Sequence, residues 1–473
     1  GDREYRIRQE MLLGIGGVMA LEALGLKATV FHMNEGHAAF AAMERVRRLI
    51  HAGHSMTSAV KAVRASSVFT THTPVPAGND RFDPKLTLKY IGRYAEALKI
   101  STDELLASGR EDERDRKEPF CMTVLALKLS AHCNGVAALH GEVSRKMWTK
   151  VYGLSPDEHA RVPIGHITNG IHSETWLAPE MRPVYQKYLK PRWVGAGPKD
   201  DWWRHADCIP DAELWAARNM LRARLIQFVR QRLADQISRA HGPVEMLAAA
   251  HETFDPGALT IGFARRFATY KRAPLIFHDA RRLAKILSDE KRPVQLVFAG
   301  KAHPADAGGQ AFAQQIYRHA YEQQFIGRVV ILEDYDMHVG RMLTSGVDVW
   351  LNNPLRPQEA SGTSGMKPPL HGGVNLSILD GWWPEAYNGK NGWAIGGKEF
   401  ADQKKQDAYD AGSLYDLLER QVVPAFYHRD KSGLPKKWVA MMKESMRTVC
   451  NTFSTARMVA DYVEKYYLPA HRG

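Results

Sequence analysis

Hydrophobic positions in the second half of this chain come in short, closed runs. Leu259-Thr260-Ile261-Gly262-Phe263, Val294-Gln295-Leu296-Val297-Phe298, Val329-Val330-Ile331-Leu332, Val347 to Leu351 and Val374 to Leu379 are such runs, and helix-length segments separate several of them. Short apolar runs of this kind fit strands covered on both faces. Their alternation with helices predicts a parallel sheet flanked by helices on both sides. Ahead of them, Leu221, Leu225, Phe228, Val229, Leu233 and Ile237 fall mostly on one side of a helix. That spacing predicts a long amphipathic helix, with Asp211 as its N-cap.

The first half is less regular. Ala28 to Met33 predicts a buried strand running into a polar turn, and Ser67 to Thr71 a second strand ending at His72. Ala38 to Ile50 and Leu125 to Met147 have helical character. Pro179, Pro183, Pro191 and Pro198 predict a loop-rich linker. The tail, Trp438 to Tyr467, reads as helical, and its Met441, Met442, Met446, Val449 and Met458 are expected to be core or docking contacts. Gly14-Ile15-Gly16-Gly17 lacks the third glycine of a dinucleotide fingerprint and is expected to serve helix packing.

At 473 residues the chain exceeds one ordinary domain, so two or three are expected. No apolar stretch of about 18 residues occurs, which predicts no membrane span. The start, Gly1-Asp2-Arg3-Glu4-Tyr5-Arg6, is charged and lacks Met, so we expect no signal peptide and a processed, truncated or fragmentary chain. Cys121, Cys133, Cys208 and Cys450 are scattered without CxxC spacing. That pattern points to neither a disulfide framework nor a metal site and fits a reducing, cytoplasmic setting. The net charge of +12 raises nucleic acid as a partner, but mixed-sign runs such as Glu111 to Glu118 read as solvated faces. Anionic substrates and cofactors explain part of the surplus more simply.

The densest chemical signal is Glu359-Ala360-Ser361-Gly362-Thr363-Ser364-Gly365-Met366-Lys367. Small residues let backbone N–H groups approach an anion, and a lysine in such a loop can act as an anion clamp or a Schiff-base partner. Arg265, Arg266 and Lys271 form a basic cluster just after the Leu259–Phe263 run. Taken singly, Asn169 also reads as a turn residue, His72 as a core histidine and Tyr335 as packing.

Together these segments resemble the α-glucan (glycogen, starch and maltodextrin) phosphorylases. The Glu359 to Lys367 pattern matches their cofactor-lysine motif without a gap. Thr71-His72-Thr73, Asn134-Gly135-Val136-Ala137, Ile167 to Ile171, Arg266 through Arg272 and Gly300-Lys301-Ala302 follow in order. Phe31 to His37 and Gly381 to Glu385 resemble the bacterial and archaeal branch. The resemblance implies an α/β fold of GT-B type, two Rossmann-like domains facing a cleft with the N-terminal one incomplete. It divides the chain into a substrate domain at 1–178, a pyridoxal-phosphate domain at 179–440, and a helical segment at 441–473 packing back on the first.

The chemistry implied is phosphorolysis of α-1,4-glucan to glucose 1-phosphate with retention, the phosphate of pyridoxal phosphate acting as proton relay. By resemblance, Lys367 carries the cofactor aldehyde. Thr363, Ser364, Tyr335 and Arg265 line the cofactor, and Arg266 and Lys271 hold phosphate. Glu359, with Ser361 and Gly362, reads the sugar's 3-hydroxyl side, and Asn169 and His72 its 6-hydroxyl side. The implied partners are maltooligosaccharide and inorganic phosphate, with no nucleic acid and no membrane. A homo-oligomer or a complementing N-terminal segment stays open.

Two departures temper the match. No glycine-rich phosphate loop of the family's N-terminal domain is found, and Glu35 stands where the animal branch has Asp. Two alternatives therefore stay open: a retaining nucleotide-sugar glycosyltransferase, and a non-catalytic glucan-binding or assembly relative.

Overall fold

A computed structural model of this chain describes residues 2–189 and 202–472. Its contacts divide it into two compact units. The first runs to Thr168 and regains the chain from Met458 onward. The second is Asn169–Arg457.

The first unit holds a parallel sheet of β1 (Phe31–Asn34), β2 (Ser67–Thr70), β5 (His132–Gly135) and β6 (Ile164–His166) in the order β1-β2-β5-β6. A two-residue antiparallel pair, β3 (Arg81–Phe82) with β4 (Phe120–Cys121), lies apart. β2 is buried throughout, as expected of an inner strand, whereas edge strand β1 buries only Met33. The predicted strand at Ala28 to Met33 is thus shorter: Ala28 and Thr29 are exposed and pairing starts at Phe31. The helix expected over Leu125 to Met147 is broken. Met122–Lys128 and Ala138–Met147 are helical, and β5 lies between them. Apolar residues fill this stretch so densely that the periods of helix and strand overlap. The glycine pattern behaves as read: a Cβ on Gly14 would come within 2.8 Å of the Ala41 nitrogen, so glycine lets two helices approach.

The second unit is built on a six-stranded parallel sheet. Its strands are β7 (Leu259–Ala264), β8 (Val294–Ala299), β9 (Val329–Leu332), β10 (Val349–Asn352), β11 (Val374–Ile378) and β12 (Gly392–Ile395). Their order is β12-β11-β10-β7-β8-β9. Numbered within the unit this is 3-2-1-4-5-6, the doubly wound order, in which the chain direction across the sheet reverses between β7 and β10. Leu259, Ile261 and Phe263 face one apolar cluster. Ala264, Val297 and Trp350 face another, shared with the helices Asp211–Arg239 and Met337–Gly346. Both faces are therefore covered, which explains the unalternated apolar runs.

Three local expectations change. Asp211 is the first helical residue, after Pro210, and its carboxylate accepts from Lys443 Nζ at 2.6 Å instead of capping. Pro179 and Pro183 open the short helical segments Pro179–Met181 and Arg182–Tyr188, a position that tolerates proline's missing N–H. Pro191 and Pro198 of the predicted linker lie outside the described residues. The unit boundary falls after Thr168, because Ile171 pairs with the Phe453–Thr455 segment through Ile171 N to Phe453 O and Thr455 N to Ile171 O, both 2.9 Å. The helix Lys436–Val449 buries Met442, Met446 and Val449 in the second unit's main cluster. Among the described residues no helix is long and apolar enough to cross a membrane.

Asp348, fully buried before β10, ties the sheet to the long helix. It accepts from Arg222 Nη1 at 2.7 Å and from Thr260 N at 3.0 Å, and Arg218 Nε lies at 3.4 Å. Removing one partner of such a cluster strands buried charge. Asp348→Asn is expected to destabilise the fold by about 3–5 kcal/mol, read from urea denaturation followed by tryptophan fluorescence.

Candidate active site

Ligands of doubly wound sheets sit beyond the carboxyl ends of the strands, where the winding reverses. The segments leaving β7 and β10 meet there. Past β7 the chain keeps pairing with the segment after β8, through Arg265 N to Ala299 O at 3.1 Å and Phe267 N to Lys301 O at 2.9 Å. It then turns at Tyr270-Lys271-Arg272, with Arg272 in the left-handed region at φ +49°. The Arg272 guanidinium reaches Asn353 O at 3.0 Å, Pro354 O at 2.9 Å, and Asp407 and Asp410 at 2.8 Å each. Asn353 Nδ2 returns a bond to Arg272 O at 2.7 Å, and Leu355 N donates to Tyr270 O at 2.7 Å. The two segments are thereby stapled together.

Glu359 lies at the centre. Its carboxylate accepts from Lys271 Nζ at 2.8 Å and from Arg265 Nη2, all three groups being buried. Burial alone would raise the Glu359 carboxyl, but Arg265 and Lys271 outweigh it and hold the group below the usual range. Burial and the nearby Arg265 draw the Lys271 ammonium down to about 8 against the pull of Glu359. Asp380 positions the backbone, accepting from Glu359 N at 2.9 Å and Gly381 N at 2.8 Å, and burial raises its own carboxyl to about 7. The turn needs glycines. Gly381 has φ +58°, and a Cβ there would come within 2.3 Å of Ser361 O. At Gly362, φ +78°, a Cβ would crowd Glu359 at 3.2 Å.

Lys367 follows the tight turn Thr363–Met366. Asn375 Nδ2 anchors that turn by donating to Gly365 O at 2.8 Å. Lys367 Nζ stands 3.6 Å from the centroid of the Trp176 ring and has no hydrogen-bond or ion-pair partner among the described residues. Burial pulls its ammonium down to about 8. Trp176 and Tyr335 meet over Gly340, where a Cβ would lie 3.0 Å from the Tyr335 hydroxyl and 3.8 Å from Trp176. Arg265 Nη1, Ser361 Oγ and Ser364 Oγ are buried without a hydrogen-bond partner among the described residues. Buried polar atoms are rarely left so, and they mark places that a ligand's oxygens could fill.

The structure thus brings Arg265, Lys271, Glu359, Ser361 and Gly362 together, with Thr363, Ser364 and Lys367 in the turn that follows. Arg266 is exposed beside them. Asn169 begins the second unit, and its carbonyl accepts from Arg457 at 3.3 Å. His72 belongs to the first unit, at the end of β2. Its backbone N–H donates to Glu35, Thr73 Oγ1 donates to Glu35 at 2.8 Å, and His72 Nε2 lies 3.1 Å from Asn34 Oδ1. Glu35 holds these bonds from a left-handed backbone at φ +60°, uncommon for a residue with a side chain. The sequence reading missed Trp176, Asp380, Arg272 and Asn353. Arg272, the last residue of the Arg266–Arg272 block, and Asp380, directly before the Gly381 block, carried a positional hint.

The chain matches the family model for carbohydrate phosphorylases over residues 19–387. It is 46% identical to a glycogen phosphorylase of Mycobacterium bovis, over 99% of this chain and 55% of that protein. It is 42% identical to a maltodextrin phosphorylase of Thermococcus litoralis, over 99% of this chain and 54% of the relative. A glycogen phosphorylase of Aquifex aeolicus is 39% identical over 98% of this chain and 66% of its own length. The chain spans about half the length of the first two relatives.

The setting of Lys367 predicts its reactivity. Below pH 8 its amine is mostly protonated and inert toward aldehydes; above it the neutral form takes over. Reductive methylation at Lys367, followed by peptide mass spectrometry, is expected to reach half its limiting rate near pH 8, where its ammonium titrates. An unperturbed lysine does so near about 10.4. Trp176→Ala, which admits water, is expected to move that midpoint upward.

Proposed function

The chain belongs to the carbohydrate phosphorylase family, and on that premise we propose that it is a glycosyltransferase. In this reading it cleaves α-1,4-glucan with inorganic phosphate and releases glucose 1-phosphate with retained configuration. The observation that carries the reading is Lys367: a half-buried amine with no hydrogen-bond or ion-pair partner among the described residues, drawn down to about 8, following a loop whose carboxylate is already held by two cations. A transferase using a nucleotide sugar on the same sheet would have no use for such a lysine. The architecture fits the GT-B class of two Rossmann-like domains, the doubly wound sheet of the second unit supporting that choice. Four unpaired cysteines, three of them buried, support a cytoplasmic setting.

The residues present fit pyridoxal phosphate. Lys367 Nζ would hold its aldehyde carbon, Tyr335 and Trp176 its ring. Arg265 Nη1, Ser364 Oγ and the Thr363 and Ser364 N–H groups would hold its phosphate. When bound, that cofactor supplies a phosphate able to share a proton with the substrate phosphate. Lys271, still largely protonated at neutral pH, and Arg266 would hold the substrate phosphate and offset the charge that gathers there. Glu359, kept ionised by Arg265 and Lys271, can only accept hydrogen bonds, which suits a sugar hydroxyl on the 3-position side. Ser361 Oγ and the Gly362 N–H would complete that contact. Asn169 would face the 6-hydroxyl side. Reading hydroxyls through buried polar groups gives large discrimination, since a wrong ligand leaves them unpaired.

Incubation with maltooligosaccharide and phosphate, with and without added pyridoxal phosphate, tests the reading. Glucose 1-phosphate is expected only with the cofactor, and Lys367→Ala should lose both the product and cofactor retention through gel filtration. Product from a preparation shown free of cofactor would contradict it. Glu359→Gln removes a charged acceptor and is expected to lower kcat/KM by about 1.5–3 kcal/mol, roughly tenfold to a hundredfold or more.

A further inference from the structure

His371 is a buried titratable group that the chemistry at Lys367 and Glu359 does not use. Its side chain is 0% exposed. It closes the short helical turn Pro368–His371, which follows Lys367 directly and opens on Pro368 and Pro369. Leu370 N donates to Lys367 O at 3.1 Å, and after His371 the chain turns at Gly372, φ +73°. Lys367 and His371 thus stand at the two ends of one tight turn.

The ring reaches out of this turn to a distant segment. Ala178 N donates to His371 Nε2 at 3.0 Å, across 193 positions of sequence. Ala178 is itself buried and comes two residues after Trp176. The short helix Ser173–Trp176 ends with Leu177 N donating to Ser173 O at 2.9 Å. The Trp176 ring in turn meets Lys367, whose Nζ is 3.6 Å from its centroid. The two segments are therefore joined twice, once by the Ala178–His371 bond and once by the indole against the amine. Further bonds hold the turn in place. The Tyr185 hydroxyl donates to Leu370 O, and Arg218 Nη1 donates to His371 O at 3.2 Å and to Ser345 O at 2.7 Å.

The state of the ring suits this role. A ring nitrogen that accepts from an N–H carries no proton, so the neutral imidazole holds its proton on Nδ1. Nδ1 has no hydrogen-bond partner among the described residues, although the backbone of Thr344 and Lys367 favours a proton on the ring. Burial, with Arg218 and Arg224 nearby, pushes the imidazole down to about 3, so it stays neutral wherever Lys367 titrates. His371 therefore moves no proton in that range. An apolar side chain could fill the same space, but it would strand the buried Ala178 N–H, and buried donors are rarely left unpaired.

We propose that His371 is a positioning residue for Lys367: its bond to Ala178 N sets the segment that presses the Trp176 ring over the amine and keeps water from it. This role rests on the reading of Lys367 as the reactive amine. A segment free to swing would admit water to the amine, and a wetter amine holds its proton more strongly.

The pH midpoint of reductive methylation at Lys367, read by peptide mass spectrometry without added cofactor, tests it. His371→Leu is expected to move the midpoint up from about 8 by roughly half a unit or more, towards the value of an ordinary lysine, about 10.4. His371→Gln, whose amide oxygen can accept from Ala178 N, should return it to that of the unmodified chain. Leu287→Ala opens a cavity in the same apolar cluster, on the helix Ala280–Leu287, and should lower the melting temperature with the midpoint in place. In a Trp176→Ala background His371→Leu should add nothing, because groups that act through one another are not additive. Where His371→Leu does not fold, Ala178→Pro removes the same bond from the other side, since Ala178 already has φ −69°, which proline adopts. A midpoint unmoved by the variant that folds overturns the proposal. So does a shift that Leu287→Ala reproduces, or one that adds in full to that of Trp176→Ala. The readout needs neither glucan nor phosphate, so an absent shift sinks only the positioning role, whereas absent glucose 1-phosphate sinks only the phosphorolysis reading.

Discussion

One carboxylate organises the second unit's chemistry. Glu359 lies on the segment after β10, and both of its cationic partners lie on the segment after β7. Buried, it could not stay ionised alone; with two cations against it, it does. A buried cluster of this kind adds little net stability, because desolvation consumes most of the attraction. What it fixes is geometry: two segments that belong to different halves of a doubly wound sheet must meet at one atom, Glu359 Oε2. Arg272, with its four bonds to the Asn353–Pro354 backbone and to Asp407 and Asp410, makes that meeting rigid.

The sheet order makes the meeting possible. β7 and β10 are sequence-distant neighbours with nothing between them, so the chain leaving each runs in the opposite sense across the sheet edge. The glycines then let the backbone close over the carboxylate. Gly362 and Gly381 both carry positive φ beside Glu359, and Asp380 joins their turns through two N–H bonds.

Much of this was legible in the chain itself. The five apolar runs from Leu259 to Leu379 became β7 through β11, because strands covered on both faces must be apolar throughout. β12 was missed because Gly392-Trp393-Ala394-Ile395 is a short edge segment with one large side chain at its middle. β5 was missed because apolar helices on either side hide it. The Glu359–Lys367 motif was legible because small residues are needed there for steric reasons that act locally. Trp176, which lies 191 positions before Lys367, was not, since nothing in its own neighbourhood signals that its ring will lie under an amine. Asp380 was hidden for a similar reason: its work is done on the backbone N–H groups of Glu359 and Gly381.

Two lysines of the second unit's site illustrate why position along the motif does not settle chemistry. Lys271 and Lys367 are both drawn down to about 8, yet by different balances. Burial and the Arg265 charge depress Lys271, while Glu359 opposes both. An added anion would therefore raise Lys271 and bring a proton onto it, strengthening the clamp when it is needed. Lys367 is depressed by burial alone, and it stands over the Trp176 indole face, which favours the cation weakly. No carboxylate pairs with it among the described residues, so burial sets its balance where charge helps to set that of Lys271. The two amines titrate in the same range, and what differs is what moves them: an arriving anion for Lys271, the entry of water for Lys367.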